Sequence, residues 1–158
     1  MNAGFIGFDL KQRKATIWDD GATRFSTITV ADLGKVVVEV LRHPEETNNR
    51  YVFAYSVTTS QREILEELQK ATTTNGEKDW EVEYVKTAED VKAGQEMLAQ
   101  GNMMGVFKLV QAGFWGNLEG MGQDFEQEPW KADVVNGVLG IEGRSVKDVV
   151  AGVVAAQS

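Results

Sequence analysis

A chain of 158 residues, 42% apolar and 25% charged, is long enough to bury a core and too apolar to be disordered. Twenty-four acidic against sixteen basic residues leave a net charge of −8, which speaks against nucleic acid and anionic membrane as partners, since both need a basic face. The absence of cysteine and the single histidine, His43, exclude disulfides, thiol nucleophiles, thiolate zinc and multi-histidine metal sites.

Met1 to Phe8 lacks the basic start and long apolar stretch of a signal peptide. The most apolar window, Met103 to Trp115, is broken by Lys108 and Gln111 and is too short to span a bilayer. No Asn-x-Ser/Thr acceptor occurs. The expectation is a soluble, unprocessed, cytoplasmic protein folded as one α/β domain over 1–158.

In chain order, Lys14-Ala-Thr-Ile-Trp18 and Arg24-Phe-Ser-Thr-Ile28 are β-rich runs flanking Asp19-Asp20-Gly21, a pattern that predicts a hairpin. Thr29-Val-Ala-Asp32 reads as a capping box. The helix it opens carries Val30, Leu33, Val37, Val40 and Leu41 on one face and stops at His43-Pro44. Tyr51-Val-Phe-Ala-Tyr55 is apolar on both faces, which suits an interior strand of a parallel sheet. Ser60-Gln-Arg-Glu63 is a second capping box, for a helix with Ile64, Leu65 and Leu68 facing inward and ending at Thr72 to Gly76.

Trp80 to Tyr84 alternates as a half-exposed strand, and Thr87-Ala-Glu-Asp90 is a third box, for a helix through Val91, Met97 and Leu98. From Gly101 to Gly122 the texture changes: Met, Phe, Trp and Gly replace charged helix faces. Residues 119–132 read as a polar loop, and Val146 to Val154 as a closing apolar helix. Strands alternating with helices mean α/β, with about four strands and five helices. The chain divides into a sheet-and-helix portion (1–100), an apolar helix and loop (101–141) and a C-terminal helix (142–158).

Few residues carry a chemical signal of their own. Gly113-x-x-Gly116 and Gly120-Met-Gly122 follow an apolar helix, whereas a dinucleotide fingerprint needs its glycine turn between a strand and a helix. Such glycines read as turns and close packings. Asp19 and Asp20 belong to the turn, Asp32 to its cap, and Glu45-Glu46, Glu66-Glu67 and Glu126 to a solvated surface. His43 suits the last turn of its helix. None of Tyr51, Tyr55 and Tyr84 is followed by lysine four residues on, so the Tyr-x-x-x-Lys pair of ordinary short-chain dehydrogenases is missing. Met103, Met104, Val106, Phe107, Leu109, Val110, Phe114 and Trp115 read either as core at helical spacing or as the deformable wall of an apolar ligand pocket.

Five strings add a resemblance. They are Ala15-Thr-Ile-Trp-Asp-Asp-Gly21, Arg24-Phe-Ser-Thr-Ile-Thr-Val-Ala-Asp-Leu-Gly-Lys35, Val38-Glu-Val-Leu-Arg-His-Pro44, Asn49-Arg-Tyr-Val-Phe53 and Thr59-Ser-Gln-Arg-Glu-Ile-Leu65. Together they resemble the NmrA-like, isoflavone-reductase-like family in its fungal form, strongly over residues 3–100 and less so to about 141. Members of that family are atypical short-chain dehydrogenases, with a Rossmann half that binds NAD(P)H and a smaller C-terminal half that covers the substrate.

The resemblance implies that this chain is the C-terminal half: the end of a Rossmann-like NAD(P)-binding fold plus a substrate-covering α/β lobe. The family's glycine-rich strand has no counterpart here, and its catalytic lysine lies upstream of what is present. No cofactor is therefore expected on this chain alone. Phe5 and Phe8 fall where the family turns into the substrate lobe, and 101–122 where it places a substrate-covering helix and loop. Phe5, Phe8, Met103, Met104, Phe107, Phe114 and Trp115 are thus the expected substrate-binding residues.

The expected partners are a small apolar or aromatic ligand and either a second copy or another chain. Three functions stay open: the substrate-binding portion of a reductase-like protein, a redox-neutral isomerase or cyclase of secondary metabolism, and a non-catalytic binding or regulatory module.

Overall fold

The structure, a computed structural model, describes residues 6–73, 79–116, 118 and 121–156. These form a mixed α/β chain of β1 (Phe8–Asp9), β2 (Lys14–Trp18), β3 (Arg24–Thr27), α1 (Val30–Arg42), α2 (Pro44–Thr47), β4 (Val57–Ser60), α3 (Gln61–Thr72), β5 (Glu81–Val85), α4 (Thr87–Ala99), α5 (Met104–Trp115), a 3-10 turn at Trp130–Asp133 and α6 (Val146–Ala155). Among the described residues no helix is long and apolar enough to cross a membrane. Two compact units emerge: the described parts of Met1–Thr23 with Ser60–Gly122, and of Arg24–Thr59 with Gln123–Gln157.

The first unit is built on a three-stranded sheet of order β1-β2-β5. β1 runs antiparallel to β2, and β5 runs parallel to β2 with Thr16 opposite Glu83 and Trp18 opposite Val85. Strand alternation sends Ala15 and Ile17 to one face, where both are buried, and Thr16 and Trp18 to the other. α3 packs on β2 with its Leu65 and Leu68 buried. Gln61, at the start of α3, binds β2 directly: its Oε1 accepts from the Trp18 N–H at 3.1 Å, and its Nε2 donates to the Thr16 carbonyl at 3.2 Å.

α4 and α5 lie backbone against backbone. A Cβ on Gly105 would run into the Gly94 carbonyl, and one on Gly94 would stand 2.9 Å from the Leu109 Cγ. Here glycine serves close approach of two helices.

The predicted hairpin does not form. β2 pairs with β1 and β5, and β3 pairs with β4. The Asp19-Asp20-Gly21 turn is real, but its polar groups are engaged by helix starts. Asp19 takes a positive φ of 54°, and its carboxylate accepts from the Thr87 hydroxyl at 2.5 Å and the Thr87 N–H at 3.3 Å. The Gly21 carbonyl accepts from the Arg62 N–H at 3.0 Å. The same contacts correct the third capping box: α4 begins at Thr87 itself, and its cap comes from Asp19 across the fold. The two other N-caps form as expected, Thr29 accepting from Asp32 N and Ser60 from Glu63 N.

In the second unit β3 and β4 make a two-stranded sheet, and Phe25 forms a parallel bridge with Gln123. The segment Tyr51–Tyr55 is not the interior strand that its composition predicts. Apart from one bridge between Phe53 and Val134 it is irregular, and β4 begins two residues later. Its backbone is satisfied by a loop instead of a sheet. Phe53 N–H donates to the Asp133 carbonyl at 2.9 Å, and the Asn136 side chain bonds both the N–H and the carbonyl of Tyr55. The apolar residues pack unevenly: Phe53 meets Phe125 at 4.9 Å and Trp130 at 5.4 Å between ring centres, while Tyr51 is 89% exposed.

α1 shows the predicted apolar stripe but leaves all of it except the half-buried Val40 uncovered. Val30, Leu33, Val37 and Leu41 are all exposed, and Asp32 is the only buried residue of that helix.

Candidate functional site

The first unit contains a cavity of about 550 Å³ between its sheet and the α4–α5 pair. Its lining follows the periodicities of the chain. Thr16 and Trp18 of β2 face it with their cross-strand partners Glu83 and Val85 of β5, all on one face of the sheet. α4 contributes Asp90 and Met97, two turns apart. α5 contributes Met104, Phe107, Lys108 and Gln111, an i, i+3, i+4, i+7 set that occupies one helix face. Gly7, at a positive φ of 81°, completes the wall.

The polar centre of this cavity is Asp90. Its carboxylate is buried, accepts from the Trp18 indole N–H at 2.9 Å and forms a short ion pair with the Lys108 ammonium. Trp18 in turn stacks on Trp115, with ring centres 6.3 Å apart. The result is a wall in which the apolar side chains Trp18, Val85, Met97, Met104 and Phe107 surround a fixed Asp90–Lys108 ion pair, with Glu83 as a further acid.

The expected substrate-binding residues are distributed over several places. Met104 and Phe107 line the cavity, 59% and 40% exposed. Met103 is exposed and not part of the lining. Phe8 is buried edge-on against Trp80, with ring centres 6.3 Å apart. Phe114 packs on Trp115 at 4.4 Å, and Trp115 is fully buried behind the cavity's Trp18. Phe5 lies outside the described residues. Sequence reasoning missed Trp18, Asp90 and Lys108. The last two were legible in part, since Lys108 is the one charge inside the apolar 103–115 window and Asp90 the one acid on the inner side of α4's first turn.

A second, polar cleft of about 420 Å³ occurs in the other unit, lined by Asp32, Lys35, Arg144, Asp148 and the 140–143 loop. Asp32 is buried there and saturated. Arg144 grips it with Nε at 2.5 Å and Nη2 at 2.9 Å, Ser56 and Thr29 donate hydroxyls at 2.8 and 2.9 Å, and Lys35 stands at 3.3 Å. The Arg144 guanidinium, helped by Ser56, Thr29 and Lys35 and opposed by burial, holds this carboxyl far below the ordinary carboxylate range. A carboxylate with all its lone pairs engaged ties α1 to the loop before α6 and is no general base.

Burial and then the adjacent Glu126 push the Tyr55 phenol above its ordinary value. His43 closes α1, its ring Nδ1 2.9 Å from the Glu39 carbonyl oxygen. Among the described residues no group of three or more His, Cys, Asp or Glu could hold a metal ion.

Pyrophosphate binding at a helix start needs free backbone N–H groups and a glycine turn after a strand. The three strand-to-helix connections, before α1, α3 and α4, carry no glycine, and one N–H of each helix start is taken, by Thr29, Ser60 and Asp19 respectively.

Comparison with known proteins finds similarity to fungal oxidoreductases. The chain is 35% identical over 149 residues to a protein named oxidoreductase aprR from Aspergillus flavus, covering 94% of this chain and 47% of that protein. It is 34% identical over 146 residues to oxidoreductase poxI from Penicillium oxalicum, covering 92% of this chain and 44% of poxI. The chain thus spans about half the length of the curated relatives it matches. No protein-family description matches it, and no solved structure does.

Proposed function

We propose that the chain is the substrate-binding portion of an NmrA-like, isoflavone-reductase-like NAD(P)H-dependent oxidoreductase acting on a small apolar or aromatic compound. The observation that carries this reading is the cavity of about 550 Å³, walled by Trp18, Val85, Met97, Met104 and Phe107. Flexible methionine and aromatic side chains re-pack around varied apolar shapes. The oxidoreductase names of the relatives agree with it. In this division of labour the chain covers the substrate and is not expected to bind NAD(P)H usefully by itself, since the strand-to-helix connections among the described residues carry no glycine.

The test is fluorescence titration, with Trp18 in the cavity wall as reporter. Aromatic ketones are expected to quench the emission saturably, and NAD(P)H is expected to bind the isolated chain weakly. Absence of saturable quenching would refute the ligand reading, and a low-micromolar dissociation constant for NAD(P)H the division of labour.

A second reading rests on the Asp90–Lys108 pair, a polarised acid and base in the cavity wall. It makes the chain a redox-neutral isomerase or cyclase, and turnover of a ligand without added cofactor would select it.

We also propose that a second copy of the chain is its partner, docked on α1. Four exposed apolar side chains in one stripe are more than a soluble surface normally leaves together. When the 158 residues are purified alone, a second copy covers that stripe. Sedimentation is expected to show a species above monomer mass, returned to monomer by the double substitution Leu33→Glu and Val37→Glu. A stable monomer at high micromolar concentration would remove this proposal.

A further inference from the structure

We infer that Lys108 is the specificity-determining residue of the cavity, and that it selects, among apolar aromatic molecules, those carrying a neutral carbonyl oxygen. The inference rests on the ligand reading above and adds the polar feature by which a ligand is oriented.

An ammonium group has three N–H donors. Among the described residues, Lys108 uses its ammonium on Asp90 alone, while its side chain lines the cavity and is 37% exposed. Donors therefore remain for a guest. The group is also held in place. Asp90 is buried on α4, and it is anchored from its other oxygen by the Trp18 indole at 2.9 Å. A lysine tethered in this way loses much of the side-chain freedom that makes surface lysines poor binding groups. Lys108 and Phe107 are neighbours on α5, and Met104 lies one turn before, so the donor sits beside the apolar surface that would carry a ring.

The charge of the wall decides which oxygen is preferred. Lys108 shares the lining with Asp90 and Glu83, so the two acids outnumber the one cation. A carboxylate ligand would meet that excess negative charge, whereas a ketone or aldehyde accepts a hydrogen bond without bringing charge. The chemical class is thus a neutral aromatic carbonyl compound.

Matched probes test this. Acetonaphthone and isopropenylnaphthalene have the same shape and differ in carbonyl oxygen against methylene; naphthoate adds the charge. Each is titrated against the tryptophan emission of the full chain. The parent is expected to bind the ketone about tenfold tighter than the hydrocarbon, the size of one hydrogen bond from a charged donor, and the carboxylate no tighter than the ketone. Lys108→Met is expected to abolish the ketone preference while keeping hydrocarbon affinity, and Lys108→Arg to restore part of it. Should Lys108→Met fail to fold, the arginine variant and the parent's probe order still decide.

Equal binding of ketone and hydrocarbon by the parent, or a preference that survives in Lys108→Met, would overturn the role of Lys108 and leave the cavity reading intact. Preferred binding of naphthoate would overturn the carbonyl class. Failure of all three probes to bind would overturn the cavity reading and this inference with it.

Discussion

Trp115→Ala is expected to destabilise the first unit by about 3–5 kcal/mol, the cost of truncating a large, fully buried aromatic side chain. Trp115 is 1% exposed, stacks on Trp18 and meets Phe114 edge-on. Its loss opens a void behind the cavity wall that the α4–α5 pair cannot close, because those helices already touch through Gly94 and Gly105. Phe107→Ala is expected to cost less than about 1 kcal/mol, since its side chain is 40% exposed in the parent and its truncation enlarges an existing opening. The same variant is expected to weaken quenching by aromatic ketones. Thermal melts and titrations of both variants check the contrast. Equal melting losses in the two, with quenching intact in Phe107→Ala, would place α5 in the core and remove it from the ligand wall.

The second large effect is expected at Asp32. Asp32→Asn keeps the shape and removes the charge that Arg144 grips, with an expected loss of about 2 kcal/mol at neutral pH, moderated by the half-exposed arginine. The pH dependence has a definite sign. The folded-state carboxyl is held far below its ordinary value, chiefly by Arg144, so the unfolded chain takes up the proton first as pH falls. The stabilisation is therefore complete above the ordinary aspartate pKa of about 4 and is lost progressively below it. Denaturant titrations of parent and Asp32→Asn are expected to differ by a constant amount between about pH 5 and 7, above that value, and to converge at more acid pH. A difference that stays unchanged down to about pH 3 would assign the effect to packing and not to charge.

Local features of this protein could be read without its structure. The Thr29 and Ser60 caps, the helices they open, the half-exposed strand around Trp80 to Tyr84 and the 103–115 helix all form close to their expected places. Each depends on interactions within a few residues: a side-chain oxygen three positions from an N–H, or a repeat matched to 3.6 or 2 residues. Met104 and Phe107 belong to the apolar 103–115 run that the sequence singled out, and both line the cavity.

Tertiary contacts decided the rest. Asp-Gly between two β-rich runs promises a hairpin, yet Thr87 and Arg62, more than 40 positions away, bind the turn and send the strands to different sheets. Tyr51–Tyr55 has a strand's composition, but backbone partners at Asp133 and Asn136 were in reach and a sheet neighbour was not. Asp90 and Lys108 stand 18 residues apart on different helices, and only the glycine contact that brings α4 onto α5 turns two unremarkable charges into a fixed ion pair in the cavity wall. Periodicity reports which face of an element is apolar; which partner covers that face depends on chain-distant packing, and for α1 the described residues supply none.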